Sequence, residues 1–270
     1  MPKTRREERR EATASEIKAL AWKQMSQDSP AALSLRAIAR DMRMSSAAIF
    51  RYFANRDALL NGLSHDAYQS QYEALWSAMQ SVPCLEHTRR IWVTAEAYRA
   101  WALANPGKYA LIYGTPIPNY RPDWPAIIQV ARQSLDLFIS LIDEAARAGV
   151  ISSEAQLTEF SSALTGQLQG IIAQRGYETT PWVVYTAFAG WSRLHGLVSL
   201  EVVGALKPIF SDTYALFCHE LASLIWEIGY KTDPSLYAKE SDPQFLVRVG
   251  HAEPMPRSLR RPVEQVLIPE

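Results

Sequence analysis

Apolar residues recur along most of the chain at the three- and four-residue spacing of a helix, and alternating apolar–polar runs are scarce. Ile17, Leu20, Ala21 and Met25 mark one face of an amphipathic helix over 5–27, stopped by Asp28-Ser29-Pro30. Its first turns are dense in Arg and Glu, a pattern that reads as a solvated face with charge pairing four residues apart. Ser34 fits the N-cap of a short helix with Leu35, Ile38, Ala39 and Met42 on one side. Arg43-Met44-Ser45 breaks it, and a third helix is expected over 46–53 with Ile49 and Phe53 turned inward. Asn55 fits the cap of a fourth, 56–79.

Beyond Pro83 the patterns lengthen, and helices are expected at about 85–104, 124–148, 155–174, 182–206 and 211–229. Asn105-Pro106-Gly107 and four prolines within 116–125 separate the first two, and Asp123 fits the cap of the second. Gly166 and Gly170 have the spacing of close helix packing. The last forty residues hold 6 of the 16 prolines and read as a tail. The expected fold is therefore all-α, in two unequal units: 1–60, with three short helices, and 61–230, larger and helical, followed by the Pro-rich tail 231–270.

Charge sharpens this division. Residues 1–60 carry 12 Lys+Arg against 7 Asp+Glu, a net of +5, so the other 210 carry 16 against 21, a net of −5. A basic head on an acidic body points to a polyanionic partner at one end. The two cysteines, Cys84 and Cys218, form no ligand cluster, and free thiols fit a reducing cytoplasm. The charged N-terminus lacks the apolar stretch of a secretory signal. No membrane span is expected, because the longest apolar candidate, about 185–206, contains Arg193, His195 and Glu201. Catalytic patterns break off. Leu194 stands where a nucleophile elbow beginning at Gly190 needs its second glycine, and Ser223 stands where a metalloprotease helix beginning at His219 needs its second histidine. No enzyme activity, cofactor or metal is expected.

Three short helices within 55 residues match the size of a helix-turn-helix unit. A helix that enters a major groove about 12 Å wide needs small or polar outer residues, which Ser45, Ser46, Ala47 and Ala48 supply. Arg51, Tyr52 and Arg56 follow, within reach of phosphates or base edges. The ordered run 35–60 (Ile38-Ala39, Phe50-Arg51-Tyr52-Phe53, then Arg56-Asp57-Ala58-Leu59) resembles the DNA-binding segment of the tetracycline-repressor family. The resemblance implies DNA contacts by Ser45, Ser46, Ala47, Arg51 and Tyr52, a phosphate contact by Arg56, and a backbone clamp at Ser34 and Arg36. Two residues depart from the pattern. Phe50 stands where a Tyr is common, which removes a hydroxyl, and Arg43 replaces the usual turn glycine and is a candidate phosphate contact.

The larger unit resembles the Trp-His-Gly type of regulatory domain in the same family, through Tyr109–Tyr120 and through Trp191, His195 and Gly196. The resemblance implies a small-molecule site among the helices and a homodimer through the last two of them. A small apolar or amphipathic ligand is expected, with Trp76, Tyr98, Trp101, Tyr113, Gln167, Trp191 and His195 as candidate contacts. Leu200, Tyr214, Phe217, Leu221, Leu224 and Ile228 are candidates for the dimer interface. The implied activity is that of a DNA-binding regulator, a repressor released from a palindromic double-stranded operator by its ligand. The alternative is a helical ligand-binding or interaction module whose head no longer reads DNA, which the departures at Arg43 and Phe50 suggest.

Overall fold

A computed structural model of the chain describes residues 4–27, 33–151 and 160–230. Every regular element among them is helical: α1 (Arg5–Gln27), α2 (Leu35–Asp41), α3 (Ser46–Ile49), α4 (Arg56–Gln80), α5 (His87–Ala104), α6 (Pro106–Tyr113), α7 (Trp124–Ala131), α8 (Gln133–Arg147), α9 (Ser162–Arg175), α10 (Pro181–Val202) and α11 (Thr213–Glu227). The expected stop at 28–30, the start of the 155–174 helix and the 231–270 tail lie outside the described residues.

Among the described residues, two main apolar cores are strung on α4, and a small third one joins Ala78 to Val82, Val93 and Ala97. The first turns of α4 give Leu59, Leu60 and Leu63 to a small core with Ile17, Ala21, Leu35, Ile38, Ala39 and Ile49. Its far end gives Leu75 and Met79 to a larger core built from α5, α8, α10 and α11. The expected boundary at 60/61 therefore falls inside one continuous helix. Lys18 ties α1 to the same helix through Asp66, at 2.7 Å.

At the centre of the larger unit lies α5, buried from Ile91 to Tyr98, including Thr94 and Glu96. A helix enclosed on all sides must satisfy its polar groups within the protein. Thr94 donates back to the Arg90 carbonyl at 2.7 Å. Arg90 pairs with Glu144. Glu96 accepts from the Tyr214 hydroxyl at 2.5 Å.

Three expectations are corrected. The third helix is one turn, because the chain after Ile49 continues in tighter bonds, Arg51 N–H to the Ala48 carbonyl and Tyr52 N–H to the Ile49 carbonyl. The segment expected as one helix over 124–148 is two, α7 and α8, meeting at Arg132. The stretch after Asn105, read as broken by Pro106, is the helix α6, with Pro106 in its first turn where a missing N–H loses nothing. α6 ends at Gly114, where a Cβ would lie 2.4 Å from the Ala110 carbonyl oxygen, so only glycine fits.

Among the described residues, the stretch apolar and long enough for a membrane span is Trp124–Arg147, at a mean hydropathy of 1.2 over 18 residues, not 185–206. Leu137, Phe138, Ile139, Leu141 and Ile142 of this segment lie in the protein core.

Candidate functional site

The helix-turn-helix is set by local chemistry. Ser34 caps α2, its hydroxyl accepting from Ala37 N–H at 3.4 Å, while its own N–H donates to the Gln24 side chain at 3.2 Å. Ser45 caps α3 by accepting from Ala48 N–H at 3.2 Å. Asn55 caps α4 by accepting from Ala58 N–H at 2.8 Å. Between the first two, Arg43 takes the left-handed conformation, φ 53°. Its N–H bonds the Arg40 carbonyl at 3.0 Å and Met44 N–H bonds the Ala39 carbonyl at 2.8 Å, the paired bonds of a Schellman C-cap. The turn therefore still demands the conformation that glycine takes most cheaply, although an arginine fills it.

This scaffold leaves Arg36, Arg43, Ser45, Ser46, Ala47 and Arg51 exposed, with Tyr52 and Arg56 half-buried. Ile49 behind them is fully buried. Phe50 joins this surface at 43% exposure, too high for a residue held by the core. Arg56 opens α4 and lies 3.9 Å from Asp57.

A second constellation surrounds His195 on α10. The Tyr98 hydroxyl lies 2.6 Å from its Nδ1 and the Tyr109 hydroxyl 3.2 Å from the same atom. Trp191 stacks on the ring at 4.8 Å between centroids and Tyr113 meets it edge-on at 4.7 Å. Burial holds the imidazole below its ordinary pKa of 6.5, which favours the neutral ring, and its Nε2-protonated tautomer is the one that would accept from Tyr98 at Nδ1. Burial likewise pushes the Tyr98 and Tyr113 hydroxyls well up, so they are neutral donors. Tyr109 also bonds the Ser199 hydroxyl at 2.6 Å. Tyr113 donates to Gln71 Oε1 at 3.0 Å, and the Ser134 hydroxyl donates to the same oxygen at 3.0 Å. Gln71 is fully buried and its Nε2 has no partner. The cluster thus reaches α4, whose other end carries Arg56.

Both units have relatives. Residues 17–63 match the model of bacterial regulatory proteins of the tetR family, and 93–224 match the tetracyclin repressor-like C-terminal domain. The HTH-type transcriptional regulator Rv1816 of Mycobacterium tuberculosis is 31% identical over 202 residues, covering 74% of this chain and 85% of the relative. The chain belongs to the tetracycline-repressor (TetR) family. The HTH-type transcriptional regulator Mb1846 of Mycobacterium bovis matches to the same extent. Among solved structures, SCO4313 aligns with a TM-score of 0.67 and 34% identity, covering 83% of this chain and all of that one. A tetR-family regulatory protein from Rhodococcus RHA1 aligns with a TM-score of 0.55 at 17% identity, covering 81% of this chain and 98% of that one, a likeness of fold.

This TetR-family chain is a DNA-binding transcriptional regulator, and its fold rearranges several of the residues expected at its second site. Tyr98, Tyr113, Trp191 and His195 come together as expected. Trp76 instead packs on Tyr72 at 6.0 Å, and Trp101 donates to Ser70 at 3.1 Å. Gln167 is exposed on α9, outside the cluster. Tyr109, from the first segment of resemblance, joins the cluster, as do Ser199 and Gln71, which are not among the candidate contacts. Tyr109 and Ser199 had a signal, since both lie in or beside the two segments of family resemblance. Gln71, midway along α4, had none.

The dimer candidates need the largest correction. Phe217, Leu221, Leu224 and Ile228 lie in the chain's own core, and Tyr214 is half-buried against Glu96. Leu200 alone is exposed, at 48%. It shares its face of α10 with exposed Tyr185, Phe188 and Val203, and with Gly196, around which a Cβ would meet nothing within 4 Å. Trp226 stands 66% exposed on α11. The Gly166 and Gly170 pair on α9 is likewise open rather than packed.

Proposed function

We propose that this regulator is a cytoplasmic, dimeric repressor, released from a palindromic double-stranded operator by a small apolar or amphipathic ligand that opens the His195 cluster. The observation that carries this reading is the Tyr113–Gln71 bond, which ties the aromatic cluster to the helix that starts at Arg56. Ser45, Ser46, Ala47 and Phe50 are the side chains offered to base edges, with Phe50 suited to a thymine methyl. Ser34, Arg36, Arg43, Arg51, Tyr52 and Arg56 are offered to the backbone. Two copies meet through the exposed faces of α10 and α11, where Gly196 admits close approach of a partner helix.

A cavity of about 20 Å³ touches the cluster at Trp191, with Ile91, Phe138 and Leu194 among its other walls. A ligand held by the cluster competes for its internal hydrogen bonds, Tyr113–Gln71 among them, and so favours a different arrangement of α4. A gel shift on the duplex upstream of the protein's own gene, paired with a reporter driven by that duplex, tests the reading. Retardation of the duplex and a fall in reporter output are expected. An unshifted duplex at low salt, or a rise in output, overturns it.

A further inference from the structure

The first turns of α1 have no packing role. Thr4 to Ala12 are exposed throughout, and α1 enters the core only from Ile17 onward. Yet the helix is deliberately started. Thr4 and Glu7 form a capping box, Glu7 N–H donating to the Thr4 hydroxyl at 3.3 Å and Thr4 N–H donating to the Glu7 carboxylate at 2.8 Å. An exposed helix gains most from opposite charges four residues apart. Here the three such charged pairs are all alike: Arg5 with Arg9, Arg6 with Arg10, Glu7 with Glu11. Within these turns, opposite charges stand three rather than four apart, at 5 and 8 and at 7 and 10.

What this arrangement achieves is segregation. At 3.6 residues per turn, Arg6, Arg9, Arg10 and Thr13 continue the line that becomes buried at Ile17 and Ala21, while Glu8 and Glu11 fall about 140–160° away from Arg6. The arginine line faces an open groove of about 1030 Å³, walled by Arg5, Arg6, Arg9 and Arg10 of α1 and by Arg51 and Tyr52 at the end of the recognition turn. The one carboxylate in its walls, that of Glu7, is held by Thr4. The groove is thus continuous with the DNA-facing edge and carries five guanidinium groups.

We infer that this groove seats the sugar–phosphate backbone of duplex DNA alongside the half-site read by α3, making the start of α1 a second DNA contact. The inference rests on α3 being the element that reads DNA. Its occupant follows from charge and continuity. Arginine forks match phosphate oxygens, and a duplex lying against Arg51 carries a phosphate row past the neighbouring wall.

The test is the salt dependence of operator affinity, measured by anisotropy on the full chain with its own upstream duplex and with a random duplex. Each lost phosphate contact lowers the slope of log K against log salt by about 0.9, so R6Q/R10Q is expected to make it shallower by about 1.8 per half-site. The loss should be nearly equal on both duplexes. R89Q/R147Q removes the same charge from exposed positions on α5 and α8 that do not line the groove, and is expected to leave the slope unchanged. A wild-type slope in R6Q/R10Q, or an equal change in both double variants, overturns the inference. Failure of the underlying reading looks different, because the wild-type chain would then not prefer the upstream duplex to the random one.

Discussion

Arg43 offers the sharpest test of how the sequence meets the fold. It holds φ 53° in a turn closed by two backbone bonds at 3.0 and 2.8 Å, so the conformation is fixed by its neighbours rather than chosen by its side chain. Placing a Cβ in the left-handed region costs about 1–2 kcal/mol. Glycine removes that strain but gives the unfolded chain more freedom, a counter-effect of about 0.4–1 kcal/mol. Arg43→Gly should therefore stabilise the helix-turn-helix core by about 0.5–1 kcal/mol. Arg43→Ala keeps the Cβ and the strain, and should stay within about 0.5 kcal/mol of wild type. Urea unfolding reads both, as shifts in midpoint at constant slope. If Arg43→Gly is no more stable than Arg43→Ala, the strain argument is wrong. The same two proteins report on DNA. If the guanidinium meets a phosphate, both lower the salt slope by about 0.9 per half-site, and an unchanged slope removes Arg43 from the contacts.

Two further outcomes are expected. Because burial depresses the His195 pKa, the unfolded chain binds the proton more tightly, so this contribution to stability is complete above pH 6.5 and is lost as pH falls through it. Urea midpoints between pH 5 and 8 should show this slope, and His195→Gln should flatten it; an equal slope in the variant would assign it to other groups. The dimer correction is tested by contrast. Leu221→Ala, at a fully buried site, should cost about 2–5 kcal/mol of unfolding free energy while leaving association intact. Phe188→Asp, on the exposed face of α10, should shift sedimentation toward the monomer with helicity retained, and the reverse pattern would restore α11's apolar stripe as the interface.

What could be read in advance divides along physical lines. Caps are local, so Ser34, Asn55 and Asp123 could be placed from sequence, and each accepts the N–H three residues on. The apolar stripe of α11 was equally visible, but periodicity says only that a face is covered, not whether its own chain or a second copy covers it. Gln167 failed for a related reason: a polar residue beside apolar ones points to a pocket only if its helix turns that side inward, and α9 turns it out. α6 was lost because Pro106 reads as a breaker, whereas at a helix's first turn it is a start.

That missed helix is also where the two halves of the molecule meet. Tyr109 and Tyr113, four residues apart, face His195, while Leu111 between them rests on the helix-turn-helix core. The Ile112 carbonyl accepts from Tyr68 of α4, and farther along the Tyr120 hydroxyl donates to Asn61 of the same helix at 2.7 Å. On the proposed mechanism, a ligand that parts Tyr113 from His195 would move a helix on which the DNA-binding core leans, and would strip Gln71 of a bond at the same time. A hundredfold drop in operator affinity needs a difference of about 2.8 kcal/mol in ligand affinity between the two states. Four hydrogen bonds are available for exchange: Tyr98–His195, Tyr109–Ser199, Tyr113–Gln71 and Ser134–Gln71. At roughly 1 kcal/mol each, re-forming two or three of them with a ligand would be enough to set that difference, so the proposed induction would not require a large apolar pocket to exist beforehand.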